Sequence, residues 1–79
     1  MKVWVLVYSA YGAPKPAIKI YPEDAPPSTA AIVEWLSERP GLSLERAKAI
    51  AKEVAEAGES TSFAYDWAAL SQEELHRHG

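Results

Sequence analysis

Residues 3–8 read Val-Trp-Val-Leu-Val-Tyr, and both alternations of that run are apolar. β-branched residues recurring at every second position indicate a strand, with Val3, Val5 and Val7 on one side and Trp4, Leu6 and Tyr8 on the other. A sheet sheltered by helices on one side needs only one apolar face. With 79 residues in all, the chain has little mass with which to cover a second one. The period alone does not choose the inner side. If Val3, Val5 and Val7 meet the helices, then Trp4, Leu6, Tyr8 and Tyr21 point away. The opposite register turns Trp4 and Leu6 inward and exposes the valines. Either way the strand owns more large apolar groups than one helical layer requires.

The rest of the chain supplies that layer. Ser9 to Pro16, SAYGAPKP, reads as a loop. Ile18 and Ile20 then alternate with Ala17, Lys19 and Tyr21, which makes a second strand and a hairpin. A second proline-rich corner, Pro22 to Pro27, stops it. Ser28 or Thr29 caps a helix expected to run to about Glu38, with Ile32, Val33 and Leu36 on one side. Pro40-Gly41 ends that helix and Ser43 caps the next. There Ala47, Ile50, Ala51 and Val54 recur at i, i+3, i+4 and i+7, and Gly58 follows as a C-terminal cap. The opposite side carries Glu45, Lys48, Lys52, Glu53 and Glu56, a solvated face. Phe63, Tyr65 and Trp67 alternate with Ser62, Ala64 and Asp66, indicating a third strand. Ser71-Gln72-Glu73-Glu74 has the form of a capping box, with Leu70 and Leu75 at staple spacing, so a terminal helix is expected from Gln72. The expectation is a single α+β domain spanning residues 1–79: a small antiparallel three-stranded sheet with helices on one face, in the order β-β-α-α-β-α.

Composition excludes several classes of function. The sequence is 48% hydrophobic and 24% charged, which is globular rather than disordered. With no cysteine there is no disulfide framework, thiolate nucleophile or thiolate metal site, which fits a reducing compartment. The N-terminal apolar run is too short to span a membrane and no signal-peptide cleavage pattern follows it, so the expected location is cytoplasmic. Eight Lys and Arg against eleven Asp and Glu give a net charge of −3. The cations are scattered, and the absence of a basic stripe argues against duplex nucleic acid.

No catalytic constellation emerges. His76 and His78 lie near the C-terminus, where a frayed helix holds no imidazole in a fixed pose, and on a helix the two point in different directions. Glu23-Asp24 precedes a helix and Glu73-Glu74 belongs to the capping box, so both carboxylate pairs have structural explanations. No serine sits in a nucleophile elbow, and the four glycines are isolated. Neither an enzyme, a metal site nor a cofactor is expected.

The segment from Ile32 to Glu59, IVEWLSERPGLSLERAKAIAKEVAEAGE, resembles a helical hairpin of two families. Gly41-Leu42-Ser43-Leu44-Glu45-Arg46-Ala47-Lys48 is similar to the helix-turn-helix in the C-terminal domain of the bacterial ribosomal stalk protein. The longer run looks like the N-degron adaptor of the Clp protease. The resemblance covers about a third of the chain and implies a protein-binding fold without the usual ligand. The stalk family contacts translation GTPases through basic residues on the first of these helices, where this chain has Glu34 and Glu38. The adaptor family holds its degron with an Asn-Asp strand end and a histidine; here Tyr8-Ser9-Ala10 and Ala55 stand instead. In format the chain is also similar to small phage-encoded inhibitors of the anti-CRISPR kind, with no shared motif.

The expected function is therefore a non-enzymatic protein-binding module, of the kind that blocks a host complex sterically. Trp4, Tyr8, Tyr11 and Tyr21 are the candidate anchors, and Glu34 and Glu38 the acidic residues that set orientation. The other readings of the surplus face are that the terminal helix or the proline-rich loops fold back over it, that a second copy of the chain covers it and, more weakly, that it stacks single-stranded nucleic acid.

Overall fold

A computed structural model describes residues 1–10, 14–60 and 66–74. The elements run β1 (Lys2–Ala10), β2 (Ala17–Pro22), α1 (Thr29–Ser37), α2 (Leu44–Ala57), β3 (Glu59–Ser60) and β4 (Asp66–Glu74). The four strands form one sheet in the order β2-β1-β4-β3, and every pairing is antiparallel.

Both helices start where a serine hydroxyl accepts an otherwise unpaired N–H. Ala31 N donates to Ser28 Oγ at 3.1 Å, and Arg46 N donates to Ser43 Oγ at 3.2 Å. Gly41 and Gly58 have φ of 77° and 81°, the left-handed conformation that glycine enters without penalty. Gly58 closes α2, donating its N–H to Val54 O at 2.8 Å, and its own carbonyl accepts from Leu70 N at 2.8 Å. The chain thus passes from helix to sheet edge within one residue, creating β3.

The strand register decides which side of β1 is inside. Leu6 lies opposite Leu70 and Lys19, Tyr8 opposite Ala68 and Ala17, and Trp4 opposite Gln72 and Tyr21. Directly opposed residues share a face. Leu6, Tyr8 and Ala68 join Ile32, Trp35, Leu36, Leu42, Ala47, Ile50, Ala51 and Val54 in one core cluster, with Tyr21 and Leu70 packed against it. The helices therefore cover the Trp4/Leu6/Tyr8 side. Leu6 and Tyr8 are buried there, 0% and 6% exposed, together with the fully buried Ala47 and Ala51 of α2.

Two expectations need correction. The sheet has four strands, not three, and the order is β-β-α-α-β-β. Residues 71–74, read as the start of a terminal helix, are the second half of β4. The capping box offered a helix of a few residues, marginal without a packed face. Pairing with β1 offers a ladder in which every residue from Lys2 to Ala10 has a partner, and Leu70 meets Leu6. Within the old capping box, Ser71 Oγ now donates to Glu73 Oε1 at 3.0 Å, and the N-terminal ammonium lies 3.4 Å from Glu74 Oε1. The third strand read from residues 62–67 lies mostly outside the described residues, as do Leu75 and both histidines.

Candidate functional site

The side of the sheet away from the helices carries the other alternation. Across three strands Ile18, Val7 and Ala69 form one row, which ends on β3 at Glu59. Ile20, Val5 and Ser71 form the next, Pro22, Val3 and Glu73 a third, and Trp67 stands opposite Ser9 at the far end. Ile18, Ile20 and Trp67 are 57%, 55% and 41% exposed. Val5 and Val7 are half-buried between them, and Val3 is buried although it lies outside the core cluster. Strands about 4.8 Å apart and a rise of about 3.4 Å per residue make three such rows a plate of roughly 300 Å², apolar except at Ser71 and Glu73. Among the described residues, the strand positions on this side include no Lys or Arg; their only charges are Glu59 and Glu73.

Three of the aromatic residues singled out from the sequence, Trp4, Tyr8 and Tyr21, occupy the other side. Trp4 is half-buried, and its indole N–H donates to Glu23 O at 3.1 Å. Tyr8 is 6% exposed and so is no open anchor. Its hydroxyl donates to Asp66 Oδ2 at 3.0 Å, and Arg46 pairs with the same carboxylate. Burial, then the hydrogen bond to Asp66 and its charge, raise the Tyr8 pKa above its ordinary value, against a smaller opposing effect of Arg46. Tyr11 lies outside the described residues. Tyr21, Glu34 and Glu38 do come together, with Lys19, Ala31 and Trp35, around a cleft of 230 Å³ between β2 and α1. Burial and then the Glu34 carboxylate raise the Tyr21 pKa.

A second cleft, of 190 Å³, lies where the end of β1 and the start of β2 approach the α1–α2 turn. Tyr8, Ala10, Lys15, Ala17, Arg39 and Pro40 line it. Among the described residues, no cluster of three or more His, Asp or Glu could hold a metal ion, and no helix is long and apolar enough to cross a membrane.

Sequence reasoning raised the valine-out register but placed its anchors on the aromatic side. It missed Ile18, Ile20 and Trp67 as exposed groups.

No protein-family model matches the chain, and no curated protein and no solved structure matches it either.

Proposed function

We propose that the chain is a non-enzymatic protein-binding module whose contact surface is the valine side of the sheet. The observation that carries this reading is the row Ile18–Val7–Ala69 beside Ile20–Val5, with the two isoleucines more than half exposed. Exposed β-branched residues on a rigid sheet lose little rotamer entropy when covered, so the hydrophobic gain is retained on binding.

The partner we infer is a different protein with an apolar patch bordered by Lys or Arg. Glu59 and Glu73 at the border of the plate, on a chain of net charge −3, complement such a rim. A second copy fits less well. It would bring the like charges of Glu59 and Glu73 together at the border of the plate. A single-stranded nucleic acid would find Trp67 as a stacking platform but no cation beside it among the described residues. In this reading the module acts by occupation: a stiff plate laid over a partner's apolar site excludes that site's other ligands, as the format shared with small phage-encoded inhibitors suggests.

Photo-crosslinking tests it. A photoreactive amino acid at position 20 is compared with one at Lys48, which is exposed on α2. The reading expects one discrete adduct with a different protein from position 20 and none from position 48. Adducts from position 48 alone would move the interface to the helices, and a self-adduct from position 20 would make the plate a dimer interface.

A further inference from the structure

The 190 Å³ cleft lined by Tyr8, Ala10, Lys15, Ala17, Arg39 and Pro40 combines three features that together specify a ligand. The first is size. A cavity of about 150 Å³ accommodates a benzene ring, so this one takes a group as large as a leucine or phenyl side chain but not a cofactor. The second is an apolar lining, from the Tyr8 ring, two alanines and a proline. The third is a pair of cations with unused capacity. Lys15 has no ion-pair partner among the described residues. Arg39 is held with its guanidinium 4.7 Å from the centroid of the Trp35 ring, a stacking contact that fixes its plane. Its Nε is buried, with no hydrogen-bond partner among the described residues. Its ion pair with the adjacent Glu38, the one it makes among the described residues, spans 3.7 Å, too long for a hydrogen bond. Arg39 lines the cleft, and a carboxylate there would complement its charge.

We propose that this cleft binds an organic carboxylate carried on a small apolar group, with Arg39 and Lys15 holding the carboxylate and Tyr8, Ala10, Ala17 and Pro40 sheltering the apolar part. The ligand chemistry is that of the C-terminal residue of a peptide or of a free branched-chain acid. The site is independent of the plate, which lies on the opposite side of the sheet.

Amide chemical shifts of the whole chain are followed by NMR while N-acetyl-leucine, 4-methylpentanoate and the uncharged N-acetyl-leucinamide are added in turn. A carboxylate of about a dozen non-hydrogen atoms is expected to saturate with a dissociation constant on the order of 1 mM, moving the amides of Lys15, Ala17 and Arg39. The leucinamide derivative should leave them in place. Arg39→Gln is expected to weaken binding by about tenfold, the loss of one charged hydrogen bond. Lys15→Gln, at an exposed position, should weaken it by about two- to fivefold. Tighter binding of N-acetyl-leucine than of 4-methylpentanoate assigns the site to a peptide C-terminus, and equal binding assigns it to a free acid. Absence of saturable shifts, equal shifts from the uncharged amide, or Lys15→Gln and a folded Arg39→Gln both binding like wild type would each overturn the proposal.

Discussion

Replacing Leu6 by Ala and, separately, Val7 by Ala separates the two sides of β1 by energy. Leu6 is fully buried, opposite Leu70 and against the helices. Leu→Ala substitutions in such cores cost about 3–5 kcal/mol, the transfer of the lost methyls plus the cavity left behind. Val7 adjoins only the outer row, half in water, so its two methyls are worth about 1 kcal/mol or less. A domain of this length has a total stability of about 4–12 kcal/mol, so Leu6→Ala removes a large share of it. Since 1 kcal/mol moves the midpoint by about 4–8 °C in a domain of this size, Leu6→Ala should melt roughly 12 °C or more below wild type and Val7→Ala within about 8 °C. Thermal denaturation followed by circular dichroism reads both. A Val7→Ala variant as damaged as Leu6→Ala would refute the assignment of sides and remove the exposed plate with it.

Further outcomes follow from the same structure. Leu70 points its N–H at Gly58, so the alternating N–H of Glu73 faces β1. Glu73→Pro therefore breaks the ladder and should cost about 1–3 kcal/mol in urea denaturation, whereas in the first turn of a helix a proline would be tolerated. Asp66→Asn weakens the links to Tyr8 and Arg46 and should cost about 1–3 kcal/mol in the same assay; a change near zero would show that the pair is solvent-screened. Tyr8 and Tyr21 have folded pKa values raised above the ordinary 10.0. The stability that their protonated forms contribute is complete below pH 10 and is lost as the pH rises from there through the folded values. Urea midpoints at rising alkaline pH should therefore fall in wild type and fall less in Tyr8→Phe. Gly58→Ala keeps its space, the nearest atom to a new Cβ being Leu70 O at 3.9 Å, but must hold φ near +81°; a loss of about 1–2 kcal/mol is expected.

The legibility of this fold followed the range of the interactions that decide each part. Ser28, Ser43 and Gly58 act on their own neighbours, and the two helices they bound could be read directly from the chain. The hairpin of β1 and β2 was equally local. What local signals could not supply was the fate of residues 71–74, where a capping box competed with a β1 edge lying about seventy positions earlier. The long-range ladder prevailed, because it satisfied nine residues of β1 at once. The candidate site divided in the same way. The surplus of apolar groups on β1 was visible in the sequence. Its orientation was not, because a period of two is indifferent to a one-residue shift and only packing against the helices resolves it. Arg39 carried no sequence signal, since its stacking on Trp35 and its unpaired Nε exist only once the α1–α2 turn is folded.

The claim that matters most is that the valine side of the sheet is held open for another protein. With the partner identified by crosslinking at position 20, the decisive measurement is its affinity for Ile20→Lys beside the melting temperature of that variant. The account expects binding at least about tenfold weaker, the loss of roughly 1.4 kcal/mol from a covered isoleucine, with a melting temperature within about 3 °C of wild type. Unchanged affinity would contradict it, and so would a collapse in thermal stability, which would place Ile20 in the core.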